Sequence, residues 1–244
     1  RTQGLEKFDF ASDIQFGIAG RKAGDIIFKN KLDYFIDSSK HQIFTIRNRI
    51  GLEEVNYFYE NYASNHYQWN NSFDKAFTIK TDLSYLLSAS KFEAYIRHAY
   101  LKNNIYFDSL GLPNQNTKGI NIFNIGLGKT LQLGHFGVRA DVSYQLIDND
   151  ETMHLPNYMA YADIFYENWI FDNHMNLRIG ISSYYYPEYK SYTYIPATGF
   201  FALQNEENSG SFPLADAYLS FKVKRFRAFF RYSNVSQSLL NLRG

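Results

Sequence analysis

The sequence has 244 residues, 45% of them hydrophobic and 20% charged, with 25 Lys and Arg against 24 Asp and Glu. That near-neutral balance leaves no electrostatic footprint for nucleic acid, and the lack of cysteine removes disulfide frameworks and thiolate metal sites. No run approaches the roughly 20 apolar residues of a membrane-spanning helix, so a helical membrane protein is excluded.

Aromatic residues make up 18% of the chain, a load that favours strands. Period-two alternation recurs almost throughout and assigns one residue set to each face of an extended segment. In chain order it predicts strands over Phe8–Ala19, Ile26–Ser38, Gln42–Val55, Phe77–Leu87, Phe92–Phe107 and Gly119–Leu131. Five more follow over Phe136–Leu146, Tyr158–Trp169, Met175–Ser182, Leu214–Lys224 and Phe226–Ser236. Several exceed the usual globular strand of about five or six residues and reach the roughly 9–11 that cross a bilayer at a tilt.

The breaks between these segments alternate short and long. Ser38–His41, Ser88–Lys91, Leu133–His135 and Asp172–His174 are short; the stretch holding Pro113–Asn116 and the one from Tyr186 to Pro213 are long. Outer-membrane barrels show that asymmetry of tight turns at one rim and long loops at the other. Phe92, Phe136, Tyr144, Tyr158, Trp169, Tyr184 and Phe226, with Trp69, Phe73, Tyr106 and Phe107, sit near strand ends, as interfacial aromatic girdles would.

The polar alternating set holds Asp13, Lys31, Asp33, Arg47, Arg49, Lys80, Asp82, Arg97, Arg139, Asp141, Asp163, Glu167, Arg178, Lys222 and Arg231. An Arg or Lys facing lipid at mid-membrane costs about 2–4 kcal/mol, so this set is expected to face an enclosed interior. The fold class expected is all-β, an antiparallel up-and-down transmembrane β-barrel, with 1–244 as one domain of 11 strands. A soluble β-sandwich alternates equally well with the faces inverted, and periodicity alone does not separate the two. Charges that line such a lumen tune selectivity, which makes Arg47, Arg49, Lys80, Asp82, Arg97, Arg139, Asp141 and Arg178 the candidate lumen residues.

Motifs for other chemistry fail on spacing. Gly126–Thr130 ends like a phosphate loop, but position 123 is Phe and no helix follows. Asp148–Glu151 lacks the calcium loop's spacing and glycine, and the histidines show no zinc-ligand spacing. No cofactor, metal or catalytic residue is expected. Tyr186, Tyr189, Tyr192 and Tyr194 are outer-loop binding candidates, as a platform on which glycan rings stack; the plainer reading is a strand that crosses the interface into a loop.

The segment Tyr194–Asn205 (Tyr-Ile-Pro-Ala-Thr-Gly-Phe-Phe-Ala-Leu-Gln-Asn), then Gly210–Asp216, the strand Ala217–Phe221 and the basic hairpin Lys222–Arg227, resembles the C-terminal part of the "putative porin" family of Bacteroidota outer membranes. The resemblance implies an integral barrel in a Gram-negative outer membrane, with lipid as its surroundings and other outer-membrane proteins as candidate partners. Family members are longer, bacterial single-chain barrels have even strand numbers, and the chain opens at Arg1, so a fragment of a larger barrel is expected. The leading expectation for function is porin-like, non-enzymatic passage of small hydrophilic solutes. The alternatives are a structural or accessory subunit of a larger secretion or uptake complex and, more weakly, a soluble carbohydrate-binding sandwich.

Overall fold

A computed structural model describes residues 7–149 and 151–237. Asp150 and the Leu239–Gly244 ending therefore lie outside the described residues. The centre is one antiparallel 11-stranded sheet in which each strand pairs with its neighbour in sequence. Its strands are β1 (Phe8–Phe16), β2 (Ile26–Phe35), β3 (Gln42–Glu53), β4 (Ala76–Leu87), β5 (Phe92–Lys102) and β6 (Ile120–Leu133), followed by β7 (Phe136–Ile147), β8 (Tyr158–Ile170), β9 (Met175–Tyr185), β10 (Leu214–Val223) and β11 (Phe226–Tyr232). Among the described residues β1 and β11 have free outer edges, so the sheet is open there and no closed barrel is formed. No described helix is long and apolar enough to cross a membrane.

The short connections 36–41, 88–91, 134–135, 171–174 and 224–225 all fall at one end of the sheet. One of the two tightest, 134–135, includes Gly134, whose φ of +59° a residue without Cβ adopts at no steric cost. The long loops 17–25, 54–75, 103–119, 148–157 and 186–213 fall at the other end. Among the described residues the long loops also form four two-stranded sheets, three of them hairpins. One of them corrects the expected strand Phe92–Phe107. The chain leaves the sheet at Asn103, with φ of 58°, and Asn104–Phe107 pairs instead with Pro113–Asn116.

Register fixes the faces, because directly paired residues point the same way. Arg47 pairs with Asp82 and Asp82 with Arg97; Arg139 pairs with Asp163, and Glu167 with Arg178. Among the described residues, every buried member of the 11 strands lies on this charged face, including Asp33, Thr45, Asp163, Phe165, Ser182 and Asp216. The opposite face leaves Phe10, Ile14, Ile125, Leu127, Val142, Ile164 and Ile181 exposed. A soluble sheet buries its apolar side; here that ordering is inverted. The described residues contain no second large sheet stacked on the apolar face, as a sandwich requires.

Aromatics at the strand ends divide between the two faces and the loops. Phe92, Phe136 and Phe226 lie on the apolar face at the short-turn end, and Tyr144 and Tyr158 lie on it toward the long-loop end. Trp169 and Tyr184 instead lie on the charged face, opposite Asn176 and Tyr161. Trp69 and Phe107 are not girdle residues either. They are buried with Ala202 in a hydrophobic cluster formed by the long loops, against which Tyr59, Tyr62, Tyr67, Ile195 and Phe200 pack.

Candidate functional site

The charged face carries a trough of about 660 Å³ that runs from β1 to β6. Asp82 anchors its centre and binds Arg47 at 3.2 Å and Arg97 at 2.7 Å. The Arg97 guanidinium also lies 3.8 Å from the Tyr95 ring centre. Arg49 pairs with Glu53, and Lys31 with Asp33 at 2.5 Å; the second Asp33 oxygen accepts from Thr45 at 2.7 Å. Lys29 and Lys80 also line the trough, and neither forms an ion pair with a described residue.

A second charged patch spans β7 to β11. Arg139 pairs with Asp141 on its own strand at 2.7 Å. Arg178 reaches Asp163 at 2.7 Å and Glu167 at 3.7 Å, and its guanidinium stacks 3.7 Å from the Phe165 ring centre. The Tyr218 hydroxyl donates to Asp163 at 2.9 Å and accepts from Arg178 Nε at 3.0 Å. Arg231 pairs with Asp216 on the neighbouring strand. The arginines of these pairs stay open to solvent, which screens each pair to roughly 0–1 kcal/mol even where its carboxylate is buried, so their effect is to hold charged ends in place more than to stabilise the sheet.

All eight sequence-derived lumen candidates thus share one face: Arg47, Arg49, Lys80, Asp82 and Arg97 in the trough, and Arg139, Asp141 and Arg178 in the second patch. Lys29 was overlooked in the sequence, although it lies two residues before Lys31 and shares its parity. Tyr218 carried no signal, since tyrosine suits either face of a strand.

Rings lie flat on this wall where a glycine sits opposite them. A Cβ at Gly137 would be 2.1 Å from Phe165 Cζ, and one at Gly126 would be 2.3 Å from Tyr95 Cζ. The apolar face has a polar feature of its own. Ser12, Asn30, Asn48, Thr81 and His98 pair in register as one row across β1 to β5. Ser12 donates to Asn30 at 3.0 Å, and Asn48 to Thr81 at 2.9 Å.

At the far end the long loops fold onto one another. Phe107 stacks on Phe200 at 4.5 Å and meets Trp69 edge-on at 6.0 Å. The Tyr62 hydroxyl donates to the Ala197 carbonyl at 3.0 Å, and the Leu203 N–H to the Phe107 carbonyl at 2.8 Å. An ion cluster ties loops 17–25 and 54–75, with Lys75 on Asp25 at 2.6 Å and Arg21 on Glu60 at 2.7 Å. Burial opposes ionisation of Asp25. The Lys75 ammonium and the Glu54 N–H outweigh it and hold the carboxyl below its ordinary value.

Between the loops lies a cavity of about 550 Å³, lined by Tyr59, Asn104, Tyr106, Thr152, Tyr189, Tyr192 and Phe201 among others. Two of the tyrosine candidates, Tyr189 and Tyr192, line it. Tyr186 packs edge-on against Tyr189 at 5.8 Å, and Tyr194 stands opposite Phe201 across a loop hairpin. The Tyr192 hydroxyl accepts from the His154 N–H at 3.0 Å. Among the described residues no group of His, Asp and Glu side chains is arranged to hold a metal ion.

Compared with known protein families, the chain matches the one described as "Putative porin" over residues 1–243. The search of curated proteins returns no match.

Proposed function

The chain belongs to the Putative porin family, and from that premise we propose that its sheet is a sector of an integral outer-membrane β-barrel in a Gram-negative envelope. Its charged face lines an aqueous lumen through which small hydrophilic solutes pass passively, and its apolar face meets lipid. One observation carries this reading: the buried residues of the sheet all lie on the charged side, while large apolar side chains on the other side are exposed. Hydrocarbon offers no partners to the edge N–H and C=O groups of β1 and β11, so the reading requires further strands to pair those edges and close the wall. A wet, charged wall then lowers the cost of moving a polar solute across the apolar layer, and no group on the pathway has to change covalently.

Full-length protein in planar lipid bilayers tests the reading. Discrete ohmic conductance steps are expected. A heat-modifiable, folded barrel that inserts and carries no current would overturn solute passage.

A further inference from the structure

We propose that the cavity between the long loops binds a sugar ring of a neutral oligosaccharide at the mouth of the pathway. This deepens the porin reading by naming a solute class, and rests on that reading only for which end of the sheet faces outward.

The cavity is built from all four of the largest loops: Tyr59 comes from 54–75, Asn104 and Tyr106 from 103–119, Thr152 from 148–157, and Tyr189, Tyr192 and Phe201 from 186–213. Its volume of about 550 Å³ falls within the range of small-molecule sites, about 300–1,000 Å³. The rings of Tyr59, Phe107 and Phe200 form a packed wall, with Tyr59 edge-on to Phe107 at 5.7 Å and to Phe200 at 5.5 Å. That wall belongs to the buried loop core, so it is held in place before any ligand arrives.

Polar groups decide the ligand class. No charged side chain lines the cavity among the described residues, so an ionic ligand would lose its hydration without finding a counter-charge from them. Burial pushes the Tyr192 phenol up, which keeps this group neutral. The side chains of Tyr59, Asn104, Tyr106 and Tyr189 make no hydrogen bond to a described residue, so the cavity presents free donors and acceptors beside its rings. A purely apolar guest would leave those groups dry and unpaired, at about 1–3 kcal/mol each. A pyranose meets both demands: its C–H faces stack on aromatic rings, and its hydroxyls pair with the phenols and the amide. Thr152 and Ser191 add hydroxyls held in place by Asn116 at 2.9 Å and Gln204 at 3.2 Å.

The test is calorimetric titration of full-length protein in an amine-oxide detergent, whose headgroup carries no sugar, with maltotriose, cellotriose and trigalacturonate. Saturable binding of at least one neutral trisaccharide is expected, with trigalacturonate inert. Tyr189→Ala and Phe201→Ala, both outside the buried loop core, should each weaken binding by about tenfold or more, with parental circular dichroism and melting. Asn104→Leu keeps the bulk and removes the free amide, and should weaken binding likewise. No saturation by either neutral trisaccharide up to roughly 50 mM, equal binding of trigalacturonate, or parental affinity in all three variants would overturn the site. Conductance of the same preparation separates the two readings: current without sugar binding removes the site alone, and sugar binding without current removes the pore alone.

Discussion

Parity along a strand decides which face a residue joins, but what that residue does there depends on its partner across the sheet. Gly137 illustrates the point. Its partner Phe165 is buried on a charged wall because the glycine leaves room for the ring to lie flat, and the ring in turn carries the Arg178 guanidinium at 3.7 Å. Gly137→Ala places a Cβ 2.1 Å from the ring, which must lift away from the wall and take Arg178 with it. The expected cost is about 1–3 kcal/mol of stability, read as a lower denaturation midpoint in detergent. Gly137→Ala combined with Phe165→Leu should recover part of that loss, because the shorter side chain vacates the contested space. The alternation predicted the face of every lumen candidate. It gave no hint of the glycine–ring pairs, because they depend on register.

Strands and loops differ in how much they disclose. Strands of seven to 14 residues repeat their pattern often enough to be recognised, and all 11 in the sheet were. The loop hairpins are two to four residues per strand, too short for a period, and their packing joins residues such as Tyr62 and Ala197 that are 135 positions apart. The Arg47–Asp82–Arg97 cluster was half legible: the face was clear, the pairing was not. Two predictions belong to elements. Asp25 clamps loop 17–25 to Lys75 and the Glu54 N–H, and its carboxyl is held below its ordinary value of 3.8. A group depressed in the folded state contributes its full stability above the unfolded value and loses it as pH falls through the folded one. Amide protection in 17–25 and 54–75 should therefore hold at about pH 5 and fall below pH 3.8, and Lys75→Met should flatten that dependence. The second concerns the polar row on the apolar face. On a lipid-facing surface, Asn48→Leu with Thr81→Val removes both partners of one hydrogen bond and adds apolar area. The double variant should be more stable by about 1 kcal/mol, seen as a higher temperature of heat modification on gels. Asn48→Leu alone, which strands the Thr81 hydroxyl, should gain less.

At the scale of the whole molecule the charge distribution has a sign that the near-neutral composition conceals. Among the described residues the trough is lined by Lys29, Lys31, Arg47, Arg49, Lys80 and Arg97 against Asp13 and Asp82. Asp82 is already shared by Arg47 and Arg97, and Lys31 is held by Asp33, whereas Lys29 and Lys80 are unpaired among the described residues. A passing anion thus meets two cations free of any ion pair among the described residues, whereas a passing cation meets one such carboxylate, Asp13. In the second patch each of Arg139, Arg178 and Arg231 has its own carboxylate, so that patch contributes little net field. Under the proposed porin reading, the reversal potential in a KCl gradient should show chloride favoured over potassium. Lys29→Glu with Lys80→Glu should reverse the preference while leaving the fold intact, since neither lysine holds an ion pair with a described residue. Arg139→Gln should change it far less, because it removes half of a compensated pair. Raising salt from about 0.1 to 1 M shortens the screening length from roughly 10 to 3 Å, so the preference should fade toward unity over that range. A preference unchanged by salt would point instead to a steric filter and away from these side chains.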